Sequence, residues 1–77
     1  MKSTLNDRRE PAEVCRDNGW LPGTKLVGDE GYGPTIICIT AIGEEQMLAK
    51  TMSHNGQPRD GYEVSWVLYC RDWKEIK

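Results

Sequence analysis

The sequence has few of the residues that form metal centres or disulfide frameworks. Its 77 residues include three cysteines and one histidine, and no Cys-x-x-Cys pair occurs, so the usual zinc patterns have no match. Cys15, Cys38 and Cys70 are odd in number and widely spaced, which argues against a disulfide scaffold. We therefore predict reduced, partly buried thiols, and neither a metal nor a cofactor.

Long apolar runs and a strong charge of one sign are also missing. The longest apolar run, Ile36 to Ile42, falls far below the roughly eighteen residues that a membrane span needs. The opening stretch MKSTLNDRRE lacks the apolar segment of a secretory signal. The net charge is -2, so the chain offers no general positive field for phosphate backbones. We expect a soluble cytoplasmic protein without a membrane partner, for which nucleic acid is a disfavoured partner.

The chain length limits the protein to one small domain. Domains near sixty residues bury only roughly 60% of the surface of the unfolded chain, so a short chain gains from a tightly closed sheet or from association. Residues 1–10 are polar and lack periodicity, and we predict a flexible arm there. Residues 11–77 are predicted to form a single small β-barrel domain, with a short helix at about 11–18 and the barrel at about 19–77.

Start and stop signals place one helix at the beginning of this domain. Pro11 suits the first helical position, and the Asn-Gly pair at 18–19 is a typical helix end. A helix of two turns is marginal in water, so it must dock on the rest of the domain. The residues expected to be buried are Val14 and Cys15 in the helix, and either Trp20 or Leu21 as an anchor after it.

Four segments have the composition of β-strands. Residues 24–27 are β-compatible. TIICITAI at 35–42 has apolar residues at both odd and even positions, as a central strand covered on both faces would have. Residues 46–52 favour a helix on propensity alone, but the tight glycine connection after a strong strand favours a hairpin, and we predict a strand. Residues 62–69 alternate most clearly. The residues of that segment predicted to face the core are Tyr62, Val64, Trp66 and Leu68.

These elements predict a mainly β fold: a small, strongly bent antiparallel sheet or SH3-like barrel of four to five strands. The short strand in Gly-x-x-Leu-Val-Gly, the long glycine-bearing loop, two strands around a tight turn and the terminal aromatic residue resemble SH3-like small barrels over about residues 19–76. The stretches GDEGYGPT, ITAIG, LAK, SHNG and CRDW also resemble a short bacterial and phage family of unknown function. The barrel class binds peptides, methylated side chains or nucleic acid, so the resemblance implies no particular ligand.

The quartet CRDW at 70–73 has a chemical and a structural interpretation. A guanidinium group beside the Cys70 thiol favours nucleophilic chemistry, but catalysis also needs a base, and nothing in the sequence places His54 near it. We therefore predict no enzymatic activity. In the structural interpretation Trp73 closes the core, and Asp72 caps a terminal helical turn over residues 72–76.

The glycine-rich loop at 28–34 lacks the parts of two familiar ligand sites. A phosphate loop needs a lysine-serine ending and a strand-to-helix context, and a calcium loop needs more oxygen ligands than Asp29 and Glu30 provide. The loop is therefore either a connection or an exposed acidic recognition loop that displays Tyr32. One of the two carboxylates is also the candidate ion-pair partner of Arg71.

Two further surface features indicate binding. Val67 and Tyr69 are predicted on the outward face of the last strand, where they either form an apolar patch for a partner chain or are covered by the helix. Lys50, Arg59 and Arg71 together could form a small basic face, although the loop at 53–61 is typical of a solvated connection.

We therefore predict a non-enzymatic interaction module whose partner is a protein, either a second copy or another chain. The alternative is a nucleic-acid-binding barrel that uses the local basic edge. The predicted interaction surface comprises Tyr32, Val67, Tyr69 and Arg71.

Overall fold

The computed structural model describes residues 4–29 and 31–76, which form one antiparallel sheet preceded by a short helix. The strand order is β4-β3-β2-β1-β6, and β5 pairs with β3 beside β4. The predicted mainly β, small antiparallel sheet is confirmed, although three of the strands are only two residues long. Among the described residues, β6 pairs only with β1 and not with a strand at the other side of the sheet. The sheet therefore does not close into a barrel. The elements are α1 Pro11–Asn18, β1 Lys25–Asp29, β2 Pro34–Ile42, β3 Met47–His54, β4 Gln57–Pro58, β5 Val64–Ser65 and β6 Lys74–Glu75.

The centre of the sheet is β2, as its β-branched composition predicts, and it lies between β1 and β3. Its second face is more exposed than expected, because Thr35, Ile37 and Ile39 are buried while the alternating residues are only half-buried. The expected cover is therefore complete on one face of β2 and only partial on the other. The buried core comprises Val14, Cys15, Trp20, Leu26, Ile37, Ile39, Met47, Ala49, Leu68 and Trp73.

The segment that favoured a helix on propensity is a strand, β3, because it forms a hairpin with β2. The Gly43 amide donates to the Gln46 carbonyl at 2.8 Å and closes the connection between them. The strand runs two residues beyond its predicted end, to His54, and then turns at Asn55 and Gly56, both with positive φ, into β4. Part of the predicted loop at 53–61 is therefore a second hairpin.

Helix α1 has its predicted bounds and docks on the connection between β2 and β3. It ends at Gly19, which has a left-handed φ of 73°. The Arg16 guanidinium donates to the carbonyls of Gly43 and Glu44, at 3.0 Å each. Trp20 is the anchor, whereas Leu21 is exposed. The buried residues of the helix are Ala12, Val14 and Cys15, so the expectation that only the last two are buried is wrong.

This helix also bears on membrane association. It has eight residues, and within residues 4–29 and 31–76 no helix is long and apolar enough to cross a membrane.

The predicted long strand at 62–69 is wrong: only Val64 and Ser65 pair, with the start of β3. The later part of the β3 edge is already occupied, because the amides of Arg59 and Gly61 donate to carbonyls there. Tyr62 therefore lies outside any ladder and is 88% exposed. Of the four residues expected to face the core, Leu68 is buried and Trp66 half-buried, while Tyr62 and Val64 are exposed.

The chain ends in a strand rather than in the predicted helical turn. Lys74 pairs with Val27 and Glu75 with Leu26, because the outer edge of β1 is open to them. Asp72 therefore caps no helix. Trp73 is only 1% exposed, which confirms its role in closing the core. A Cβ atom added at Gly28 would lie 2.7 Å from the Trp73 ring, so β1 approaches that ring closely.

Part of the segment before the helix contacts the rest of the domain, and the flexible arm expected over residues 1–10 stays a prediction. Thr4 is 1% exposed, and the Asn6 amide donates to the Tyr69 carbonyl at 2.9 Å. Sequence composition misses such contacts because they are made across almost the whole chain. Residues 1–3, also assigned to that arm, lie outside the described part of the chain.

Candidate functional site

The candidate site is a groove at the open end of the β2–β3 hairpin, far from the helix. We call it the mouth groove, and its volume is about 510 Å³. A register shift between Ile36 and Ile37 places His54 opposite Thr35. The Thr35 hydroxyl and the Nδ1 atom of His54 are 2.8 Å apart, within hydrogen-bond distance. The groove is lined by Thr35, Thr51, His54, Arg59, Asp60, Gly61 and Arg71.

One wall of the mouth groove is the segment 59–61, which lies against β3. The Arg59 amide donates to the Met52 carbonyl at 2.9 Å, and the Gly61 amide to the Thr51 carbonyl at 3.3 Å. A Cβ atom at Gly61 would lie 3.1 Å from the Thr51 backbone nitrogen. The absence of a side chain at Gly61 therefore allows the wall to approach the strand.

Arg71 also lines the mouth groove. Its guanidinium carbon lies 5.1 Å from the centroid of the Trp73 ring, a cation–π distance. The backbone at Arg71 is held as well, because its carbonyl accepts a hydrogen bond from the Thr4 hydroxyl. Stacking and backbone contact together fix where the guanidinium enters the groove.

The charge inside the mouth groove differs from that of the whole chain. The described lining residues include two guanidinium groups, one imidazole and the Asp60 carboxylate, whereas the chain has a net charge of -2. Guanidinium groups present forked donors that match carboxylate and phosphate oxygens. The groove can therefore bind an anionic group.

The pair of Thr35 and His54 has the spacing of a nucleophile and its base. Thr35 is only 5% exposed, however, and a nucleophile must reach its substrate. The contact instead fixes the orientation of the imidazole at the groove. Cys70, the other nucleophile considered from the sequence, is exposed and does not belong to the lining of the mouth groove.

A second groove adjoins the first, and we call it the side groove. It has a volume of about 470 Å³ and shares Asp60 and Gly61 with the mouth groove. The three cations proposed as one basic face, Lys50, Arg59 and Arg71, are thus divided between neighbouring grooves. The side groove is lined by Thr40, Lys50, Asp60, Gly61, Tyr62 and Glu63.

The four residues of the predicted interaction surface occupy three places. Tyr32 is 82% exposed in the loop between β1 and β2. Val67 and Tyr69 line a shallow depression with residues 8–11, and the Arg8 guanidinium carbon lies 4.5 Å from the centroid of the Tyr69 ring. Arg71 lines the mouth groove.

The acidic loop that carries Tyr32 is ordered by its own carboxylate. Asp29 accepts hydrogen bonds from the amides of Gly31 and Gly33, at 2.6 and 3.2 Å. Glu30 lies outside the described residues, and the ion pair expected between Arg71 and one of these two carboxylates stays a prediction.

The local sequence does not mark several residues of the mouth groove as parts of a site. Thr35 resembles any polar residue at the start of a strand, and the 53–61 stretch has the composition of a solvated loop. The Asn55-Gly56 pair was the one usable signal, because it is typical of a tight hairpin that would return the chain along β3. Within residues 4–29 and 31–76, no cluster of three or more His, Cys, Asp or Glu side chains could hold a metal ion.

Comparison with known proteins gives a family but no described activity. A family model described as a domain of unknown function, DUF7241, matches residues 9–77. The chain belongs to this family. No curated protein and no solved structure matches the chain significantly. The region matched by the family model contains the whole lining of the mouth groove, whereas Thr4 lies before it.

Proposed function

We propose that this protein is a non-enzymatic interaction module that binds another protein by holding an acidic group of that partner in the mouth groove. The observation that supports the proposal is the convergence of Arg59, Arg71 and His54 on one groove of an otherwise acidic chain. A local positive site on a negative molecule favours a discrete anionic group over a long phosphate backbone.

The size and surroundings of the groove favour a protein partner. Its volume lies in the range of pockets that accept side chains or small ligands. Tyr62, which lines the adjoining side groove, is 88% exposed. Tyrosine is enriched at protein interfaces because it buries a large apolar ring and keeps a polar tip. An acidic side chain in the groove, with apolar contacts beside it, is therefore the recognition mode that we assign.

Peptide binding tests the anionic part of this proposal. We expect fluorescein-labelled pentaglutamate to bind more tightly than pentaglutamine, with an affinity that decreases as salt is added. Arg59→Gln should reduce the affinity at least about tenfold, because a charge-assisted hydrogen bond contributes roughly 1.5–3 kcal/mol. Arg16→Gln, which removes a cation from the helix instead, is the matched control and should bind as the wild type does. Equal binding of the two peptides would falsify the proposal.

Partner capture tests the protein part. Immobilised wild-type protein and the Arg59→Gln variant are compared, and a genuine partner is retained by the first and lost from the second. Size-exclusion chromatography with light scattering determines whether the partner is a second copy. A strict monomer that retains no protein at micromolar concentration contradicts the proposal.

A second candidate function, binding of single-stranded nucleic acid, is favoured by the side groove. There Lys50 lies beside Tyr62, and a cation next to an exposed ring is the combination that binds a phosphate and stacks a base. Fluorescence anisotropy with labelled single-stranded RNA and DNA at low and high salt distinguishes the two functions. Absence of salt-sensitive binding rules out the nucleic-acid function.

A further inference from the structure

The hydroxyl of Thr4 connects two backbone groups on either side of Asp72. It donates to the Arg71 carbonyl at 2.5 Å and accepts from the Trp73 amide at 2.8 Å. Thr4 is 1% exposed; its bond with the Trp73 amide is buried, and its bond with the Arg71 carbonyl is partly buried. A buried backbone group without a partner costs free energy, and one threonine hydroxyl here satisfies an acceptor and a donor.

The backbone that Thr4 holds has no ladder of its own. Between β5 and β6, residues 68–71 form a turn with flanking bends, and residues 66, 67, 72 and 73 have no regular secondary structure. The segment before the helix takes the place of a partner strand, because the Asn6 amide donates to the Tyr69 carbonyl and Arg8 stacks on the Tyr69 ring. Arg71, which lines the mouth groove, thus depends on contacts made by residues 4–8.

We propose that Thr4 is a positioning residue of the mouth groove, acting through Arg71. By fixing the backbone on both sides of Asp72, it holds the Arg71 guanidinium over Trp73 and at the groove. This inference rests on the proposed anion-binding function. It also extends the binding site to a residue that precedes the region matched by the family model.

Substitution of Thr4 separates the hydroxyl from the shape of the side chain. Thr4→Val keeps the shape and removes both hydrogen bonds, whereas Thr4→Ser keeps the hydroxyl. We expect Thr4→Val to reduce pentaglutamate affinity on the order of tenfold, the effect of one lost net hydrogen bond of about 1.4 kcal/mol. Thr4→Ser should stay within about twofold of wild type. All variants are measured in sucrose, which stabilises folded states and keeps a weakened variant folded.

A double-variant cycle distinguishes positioning from a general loss of stability. If Thr4 acts through Arg71, Thr4→Val has no further effect on affinity in an Arg71→Gln background, while its effect on unfolding by urea is the same in both backgrounds. An equal loss of affinity in both backgrounds, or no loss in the wild-type background, overturns the inference.

A spectroscopic readout keeps this inference separate from the proposed function. Solvent exchange of the Arg71 Nε–H group, followed by NMR, should become faster in Thr4→Val and stay unchanged in Thr4→Ser. If wild-type protein does not bind pentaglutamate, the proposed function fails, and the exchange rates still decide whether Thr4 positions Arg71. Equal exchange rates in the wild type and Thr4→Val overturn the positioning role.

Discussion

The two ends of the β2–β3 hairpin have different surroundings, although the same two strands form both. At the helix end, α1 covers the connection, Val14 and Cys15 are buried, and the Ala12 amide donates to the Glu45 carbonyl at 3.0 Å. At the open end, Thr35 and His54 line a polar groove, and α1 lies at the other end of the hairpin. The helix end is apolar and regular, whereas the open end keeps polar side chains within reach of a ligand.

Arginine shows this difference most clearly. At the helix end the guanidinium of Arg16 donates to two backbone carbonyls and joins the helix to the hairpin. At the open end Arg59 and Arg71 line a groove. The same side chain stabilises the fold in one place and, we propose, recognises a ligand in the other. The contacts that join the helix to the sheet and the groove that we propose as a binding site therefore lie at opposite ends of the same two strands.

The largest expected effect concerns the two buried tryptophans. Trp20→Ala and Trp73→Ala should each lower the free energy of unfolding by about 3–5 kcal/mol, since both rings are 1% exposed. Urea unfolding measures this loss. Substitution by phenylalanine distinguishes the two ends of the hairpin. Trp73→Phe should also weaken pentaglutamate binding, because phenylalanine is a poorer cation–π partner for Arg71. Equal binding losses in Trp20→Phe and Trp73→Phe would show that the ends are not independent.

Glycine substitution tests the close approach of β1 to Trp73. Gly28→Ala should destabilise the protein by about 1–3 kcal/mol, because the new Cβ atom would lie 2.7 Å from the ring. Gly43→Ala is the control at the helix end, where the nearest atom, the Gln46 carbonyl oxygen, would lie at an ordinary 3.4 Å. Thermal unfolding of both variants gives the comparison, and similar melting temperatures would contradict the packing described for Trp73.

The pH dependence of stability tests whether water is excluded from the Cys15 thiol at the helix end. Burial raises the pKa of the Cys15 thiol to about 11. The unfolded chain then loses this proton at lower pH than the folded protein, so stability is fully present below about pH 9 and is lost as pH rises towards about 11. The loss is on the order of 2 kcal/mol. Cys15→Ala should remove this contribution from the alkaline unfolding curve, and an unchanged curve would mean that water reaches the thiol.

The smallest effect compares arginines at the two ends. Arg16→Gln removes two hydrogen bonds to backbone carbonyls and should lower the free energy of unfolding by about 1 kcal/mol. Arg59→Gln, at an exposed position, should change it by less than about 0.5 kcal/mol. Arg59→Gln should reduce the affinity for pentaglutamate, whereas Arg16→Gln should leave it unchanged. A stability loss in Arg59→Gln as large as that in Arg16→Gln would contradict the division of roles.

The sequence predicts well where local chemistry decides the structure. The proline and the Asn-Gly pair mark the ends of α1, and the β-branched run of β2 marks the centre of the sheet. It predicts poorly where strands compete for an edge. The alternation at 62–69 indicates an extended segment with two faces, but it does not show that residues 59–61 already bond to β3.

The candidate site was harder to predict because it is assembled from distant segments. Thr4 and Arg71 are separated by 67 positions, and Thr35 and His54 by 19. Local periodicity carries no information about such pairs, since it reports only which face a residue takes within its own element. The sequence shows the basic side chains of Lys50, Arg59 and Arg71. Their division between two grooves, however, depends on the path of the chain after β4.

Two tryptophan side chains, one just before the C-terminal strand and one just after β5, bring the two sides of the sheet into contact. The Trp66 and Trp73 rings contact edge to face at 5.8 Å, and β6 is held to β1 by two residue pairs. Under tension applied to the C-terminus, β6 would peel from β1 one pair at a time and draw Trp73 away from Trp66 while β2 and β3 stay joined. The described strands β4, β5 and β6 are each held by two residue pairs, and of these β6 is the nearest to the C-terminus, so we expect it to detach first under such a load.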